Sequence, residues 1–201
     1  METSACKFQV TNIKISVKLP KSVDLDFVDA RCKELSKNTT IYCSRKRVNI
    51  MTIRYNNYTY VLFKRSSKVA CDGEMIKQHC NITKLKTHED ILKAIQDLFF
   101  LINQPCTLLE YTIDNYSCCA DIFNFIDIER FFMLEQDVNC TYNEENFPAL
   151  YVRCPREITS APNQCCHIYR SGRIIFVGGK KLTEVKKFFE WIVEKTKPYI
   201  K

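Results

Sequence analysis

The chain has 201 residues, 46% of them hydrophobic, and carries 30 Lys and Arg against 23 Asp and Glu, for a formal net charge of +7. That length and apolar content suffice to bury a full core. No run of about 18 apolar residues occurs, which excludes a membrane-spanning helix, and Met1-Glu-Thr-Ser-Ala-Cys-Lys7 has no apolar signal segment, so the expected setting is intracellular and the 12 cysteines are expected as reduced thiols.

In chain order, Asn12-Ile-Lys-Ile-Ser-Val-Lys-Leu19 alternates strictly, with Ile13, Ile15, Val17 and Leu19 on one face and Asn12, Lys14, Ser16 and Lys18 on the other. This predicts a strand with one buried and one basic, solvated face. Pro20 ends it, and Ser22 is the expected cap of a short helix over residues 23–35. Strands are expected near 47–55, 58–64 and 67–72, with Asn56-Asn57 as a hairpin turn because Asn tolerates positive φ. Thr87 and Asp90 have capping-box spacing ahead of a helical stripe of Ile91, Ile95, Leu98 and Phe99. A strand over 111–120, a helix over 127–136, strands near 148–154, 164–170 and 173–177 and a helix over 182–196 follow, Pro198 stopping the last.

The second series of elements repeats the first. Tyr60–Gly73 is echoed by His167–Gly178, whose glycines lie 105 positions apart; Val10-Thr-Asn12-Ile by Ile113-Asp-Asn115-Tyr; and Ile50–Arg54 by Leu150–Arg153. Two half-domains, 8–104 and 108–200, are expected to form one pseudo-symmetric α+β body, hairpin strands in an antiparallel sheet with helices on one face. A partner with approximate two-fold symmetry fits such a body, and duplex nucleic acid is the common one for a basic protein. Charge is uneven: residues 1–104 hold 18 Lys and Arg against 10 Asp and Glu, and residues 105–201 hold 12 against 13. That suggests one surface for polyanions and another for protein partners. His79, His88 and His167 have no metal spacing, and no C-x-x-C, G-x-S-x-G or Gly-rich phosphate loop occurs, so no metal, cofactor or catalytic activity is expected.

Asn146-Phe147-Pro148-Ala-Leu-Tyr-Val-Arg153, followed by Ile168-Tyr169-Arg-Ser171-Gly172-Arg173-Ile-Ile-Phe-Val-Gly178, resembles the second repeat of the TATA-binding protein family. The resemblance spans about residues 8–200 and implies a saddle, its curved antiparallel sheet lying in the DNA minor groove with helices on the convex face. It implies that Asn12 and Asn115 donate to minor-groove acceptors, and that Phe147, Tyr169 and Phe63 stand at kinking positions, the fourth falling near Lys46. It further implies DNA contacts by Arg153, with Thr52 as its counterpart and Arg54 close by, and by Lys68, Arg173, Ile175 and Val177. It matches Asp72 with Val177, the two replacing a paired threonine, and Asp72 is the most serious departure, while Lys14, Lys18 and Arg47 add charge. Glu144 and Glu145 match the stirrup that meets a IIB-like factor, and Lys180, Lys181, Lys186 and Lys187 match a basic helix contacting other factors. The implied function is transcription initiation at A·T-rich promoters with RNA polymerase, in the nucleus or, alternatively, at a cytoplasmic viral replication site. A protein-interaction scaffold that has lost DNA bending is the alternative function.

Overall fold

The computed structural model describes residues 6–64, 78–106 and 110–201, with Lys46 described by its backbone alone. The elements are β1 (Lys7–Lys18), α1 (Leu25–Leu35), β2 (Tyr42–Arg47), β3 (Ile50–Tyr55), β4 (Tyr58–Phe63), β5 (His79–Leu85), α2 (His88–Leu101), β6 (Tyr111–Asp121), α3 (Ile128–Leu134), β7 (Cys140–Asn143), β8 (Phe147–Arg153), β9 (Cys165–Tyr169), β10 (Arg173–Gly179) and α4 (Leu182–Thr196). They form two compact units, one of Ile13–Asp114 and one joining the chain up to Asn12 with Asn115–Lys201.

In the first unit the strand order is β2-β3-β4-β5-β1, antiparallel throughout. The period-2 alternation drives it: Ile13, Ile15 and Val17 of β1 are buried, as are Met51, Ile53, Tyr60, Leu62, Cys80 and Ile82 of β3, β4 and β5. Ile91, Ala94, Ile95, Leu98 and Phe99 of α2 and Val28 and Cys32 of α1 are buried as well. A fully buried side chain of this size stabilises by about 1.5–3 kcal/mol. The Asn56-Asn57 turn forms as expected, with φ of 48° and 68°. The Thr87–Asp90 capping box closes in both directions. The cap of α1 differs from expectation: Asp24, not Ser22, accepts from the Asp26 amide, since a carboxylate two residues later reaches the same free N–H.

Two strands of this unit were not foreseen. β2 contains Arg45-Lys-Arg47 and shows no apolar alternation. β5 does alternate, but it lies beyond the expected 67–72 strand, which falls outside the described residues. Gln78 anchors its start, accepting from Val23 N–H at 2.7 Å and donating to the carbonyls of Phe63 and Val23 at 2.8 and 3.2 Å.

The second unit repeats this plan in the order β6-β10-β9-β8-β7, again antiparallel. Its core gathers Cys118, Ala120, Leu150, Val152, Cys166, Ile168, Ile174 and Phe176 under Phe131 of α3 and Val185, Phe188 and Ile192 of α4. Phe8 and Val10 of β1 pack against this core, the Phe8 ring 5.0 Å from Phe189 and 6.1 Å from Phe176. The helix expected over 127–136 is shorter, because Asp127 caps it and the chain leaves helical geometry at Glu135.

Pairing registers relate the units residue by residue. Ile15 faces Ile82, and Cys118 faces Phe176; Leu62 faces Cys80, and Ile168 faces Ile174. The irregularity in β1·β5 pairing between Ile13 and Ile15 has its equal in β10·β6 between Phe176 and Gly179. At that bulge Gly178 has φ 82° and its counterpart Lys84 has φ 71°. Gly73, the expected partner of Gly178, lies outside the described residues, and Lys84 holds the equivalent backbone position.

Candidate nucleic-acid interface

In each unit the helices cover one sheet face, and alternation turns the other set of side chains away from them. On this open face the first unit places Lys14, Ser16 and Lys18 of β1, His79, Asn81 and Thr83 of β5, Thr59, Val61 and Phe63 of β4, and Thr52 and Arg54 of β3. The second unit places Asn115, Ser117 and Cys119 of β6, Arg173, Ile175 and Val177 of β10, His167 and Tyr169 of β9, and Phe147, Tyr151 and Arg153 of β8. His79, Asn81, Thr83, Val61, Tyr151 and His167 did not stand out in the sequence. The signal was present in Cys80, Ile82 and Leu85, whose alternation places their neighbours on the open face.

Asn115 is held in one orientation. Its Oδ1 accepts from Gly178 N–H at 2.7 Å and its Nδ2 donates to Ser117 Oγ at 3.0 Å. With the oxygen taken by the backbone, the amide nitrogen keeps a second proton to donate. The bulge at Gly178 aims its N–H at the amide, and a Cβ there would stand 2.3 Å from Asn163 O.

The aromatic end of each unit can be compared by register. Phe63 faces Ile50 and Tyr169 faces Ala149. Two residues before Ile50 lies Val48, and two before Ala149 lies Phe147. The counterpart of Phe147 is therefore Val48, not Lys46, and it is 71% exposed against 42% for Phe147. Phe63 stacks on His79 at 4.7 Å and 23°. Phe147 stands edge-on to His167 at 5.3 Å and to Tyr169 at 6.2 Å. Burial pushes the His167 imidazole below its ordinary pKa, favouring the neutral ring.

The same register corrects two more pairings. Arg54 faces Thr59 and Arg153 faces Cys165, so Arg153's counterpart is Arg54 rather than Thr52. The Arg54 guanidinium lies 5.5 Å over the Tyr42 ring, a cation–π contact that limits its swing. Val177's counterpart by register is Thr83, on β5; Asp72 and Lys68 lie outside the described residues.

Lys14 was expected as an added cation, yet its Nζ lies 3.6 Å from Asp114 Oδ2, leaving the pair without net charge. Lys18, Arg47, Arg54, Arg153 and Arg173 are exposed. Of the expected partner residues, Glu144 is ion-paired to Arg170 at 3.0 Å, and Arg170 also pairs with Glu129. Glu145, Lys180, Lys186 and Lys187 are exposed, while Lys181 bonds Glu184 at 3.1 Å. Among the described residues no group of three His, Cys, Asp or Glu could hold a metal, and the 11 described cysteines are free.

The family model described as transcription factor TFIID, or TATA-binding protein, matches residues 110–199. The chain is 25% identical over 182 residues to TATA box-binding protein-like 2 of Takifugu rubripes, covering 90% of this chain and 51% of that one. It is 26% identical over 189 residues to the TATA-box-binding protein of Xenopus tropicalis, covering 94% and 57%. It thus spans about half the length of the curated relatives it matches. The solved Methanococcus jannaschii TBP shares its fold, with a TM-score of 0.69 over 96% of this chain and 99% of that one at 18% identity. The fold is the duplicated α+β domain that the solved TBP also has. The chain is similar to the TATA-binding protein family, through the family model over residues 110–199 and through relatives 25–26% identical over nearly all of its length.

Proposed function

We propose that this chain binds A·T-rich promoter DNA through the minor groove, bends it, and takes part in transcription initiation with a IIB-like factor and RNA polymerase, in the nucleus. The observation that carries this reading is the uncovered sheet face in each unit, with an apolar or aromatic pair at its end, one member exposed and one half-buried: Phe147 with Tyr169, and Val48 with Phe63. Wedging such side chains between base steps kinks a duplex toward the major groove, an action for which TATA-binding proteins are a standard case. Asn115 supports the reading, because A·T pairs present only acceptors in that groove and its amide nitrogen donates. Lys18, Arg47, Arg54, Arg153 and Arg173 suit phosphates, each contact adding about 0.9 to the slope of log K against log salt.

Fluorescence resonance energy transfer across an end-labelled A·T-rich duplex is the direct test. The expected result is saturable, salt-sensitive binding that brings the two ends closer together. A duplex that binds and stays straight removes bending from the reading. No binding at all leaves the protein-interaction scaffold, for which Glu145, Lys180, Lys186 and Lys187 are the exposed candidate contacts.

A further inference from the structure

The middle of the first unit's open face is built from oxygen acceptors, where the second unit is apolar. Ser16 and Asn81 oppose each other across β1 and β5. The Ser16 hydroxyl lies 2.8 Å from Asn81 Oδ1 and 2.6 Å from Asp114 Oδ2. One hydroxyl proton serves one acceptor at a time, so one of these two oxygens is left for another donor. Turning the Asn81 amide over keeps the surplus: Nδ2 then donates to Ser16, Ser16 to Asp114, and Asn81 Oδ1 is released. In the second unit Cys119 holds the position of Ser16 and Ile175 that of Asn81, as register requires. The position of Asp114, directly before the strand asparagine, is held by Thr11, whose hydroxyl is spent on Ser117 O at 3.0 Å.

Minor-groove chemistry gives this difference a meaning. A·T pairs show only acceptors there, and G·C adds one donor, the guanine 2-amino group. Amide and carboxylate oxygens facing A·T meet acceptors, whereas facing guanine they accept its amino proton. Isoleucine offers no partner to that amino group, and leaving it unpaired costs free energy. We infer that the first unit accepts the guanine 2-amino group through Asp114, Asn81 and Ser16, so that the protein reads a hybrid element with G·C tolerated or preferred under its first unit and A·T required under its second. Lys14, 3.6 Å from Asp114, offsets the carboxylate's repulsion of nearby phosphates. The inference rests on the minor-groove reading proposed above.

The test uses base analogues that alter only that amino group. Single adenines of an A·T-rich duplex are replaced in turn by 2,6-diaminopurine, which adds the amino group without changing the major-groove edge. With the wild-type chain, replacements in one half should be neutral or favourable, and those in the other should weaken binding about tenfold. Replacing guanine by inosine in the tolerant half should weaken binding. Asn81→Ile with Asp114→Thr, the residues of the second unit, should make both halves intolerant; Ser16→Ala, a smaller change, should narrow the contrast. Equal penalties in both halves for the wild type, or an unchanged contrast in the variants, would overturn the inference while leaving minor-groove binding standing. Failure to bind any duplex would overturn both.

Discussion

Lys84 and Gly178 occupy the same bulge in the two units, with φ of 71° and 82°, yet only one of them is a glycine. The backbone plan is therefore kept where the residue best suited to it is not, and the conformation belongs to the sheet register rather than to any one side chain. The same holds at the start of the last helix of each unit. Asp90 and Glu184 are both third residues of their helices, and both carboxyls are held below their ordinary pKa. Burial pushes Asp90 up, but the amides of Lys86 and Thr87 and the Tyr58 hydroxyl outweigh it. Burial also pushes Glu184 up, and there Lys181, Thr159 and Ser160 outweigh it. One unit caps its helix from the sequence beside it, the other from the longer loop over residues 155–163.

The largest expected effect tests whether the two cores are equivalent. Ile82 and Phe176 hold matching positions and are both fully buried. Phe176 also meets the rings of Phe8, Phe188 and Phe189 at 6.1, 5.5 and 6.0 Å. Phe176→Ala should cost about 3–5 kcal/mol and Ile82→Ala about 2–5, read by urea unfolding. A larger loss at Ile82 would show the first core to be the tighter one. Next comes the bulge. Gly178→Ala brings a Cβ to 2.3 Å from Asn163 O at positive φ and should cost upward of about 2 kcal/mol. Lys84→Gly should gain up to about 1 kcal/mol by relieving its backbone. Neutral results for both substitutions would mean the bulge is not rigid.

On DNA, Phe147→Ala should weaken binding by about 1–3 kcal/mol and reduce the bend. Val48→Ala should do less, because less apolar surface is lost. Equal losses would make the two ends alike. The smallest effect concerns the helix starts. Thr87→Ala should cost about 1 kcal/mol, and no side chain at Lys181 has a comparable role. An acid whose pKa is lowered by folding stabilises fully above its unfolded pKa, and that share fades as pH falls through the folded value. Asp90→Asn and Glu184→Gln should each flatten the loss of stability below the ordinary carboxylate range, measured by thermal melts from neutral to acid pH. A steeper loss in either variant would contradict the assigned hydrogen bonds.

Much of this was legible in the sequence, and the failures share a cause. The strand of Ile13, Ile15 and Val17, the Asn56-Asn57 turn and the Thr87–Asp90 box are local signals, decided by neighbours a few residues away, and they formed as expected. The counterparts Val48, Arg54 and Thr83 were missed because they depend on register across strands. Matching Gly73 to Gly178 set that register by similarity of letters, while hydrogen bonding matched Lys84 to Gly178 instead. The Lys14–Asp114 pair was invisible for a related reason: it joins residues 100 positions apart in sequence.

The packing of Phe8 and Val10 has a consequence for how the chain is made. These residues belong to the compact unit whose other members begin at Asn115, and Phe8 rests on rings at Phe176 and Phe189. A ribosome adding roughly 5–20 residues per second delivers those rings roughly 8 to 36 seconds after Phe8. During that interval the first unit can close, while the segment before Ile13 waits without its partners. The docking of Phe8 and Val10 then waits on residues made much later, and a nascent chain halted before α4 would leave Phe8 without its contact to Phe189.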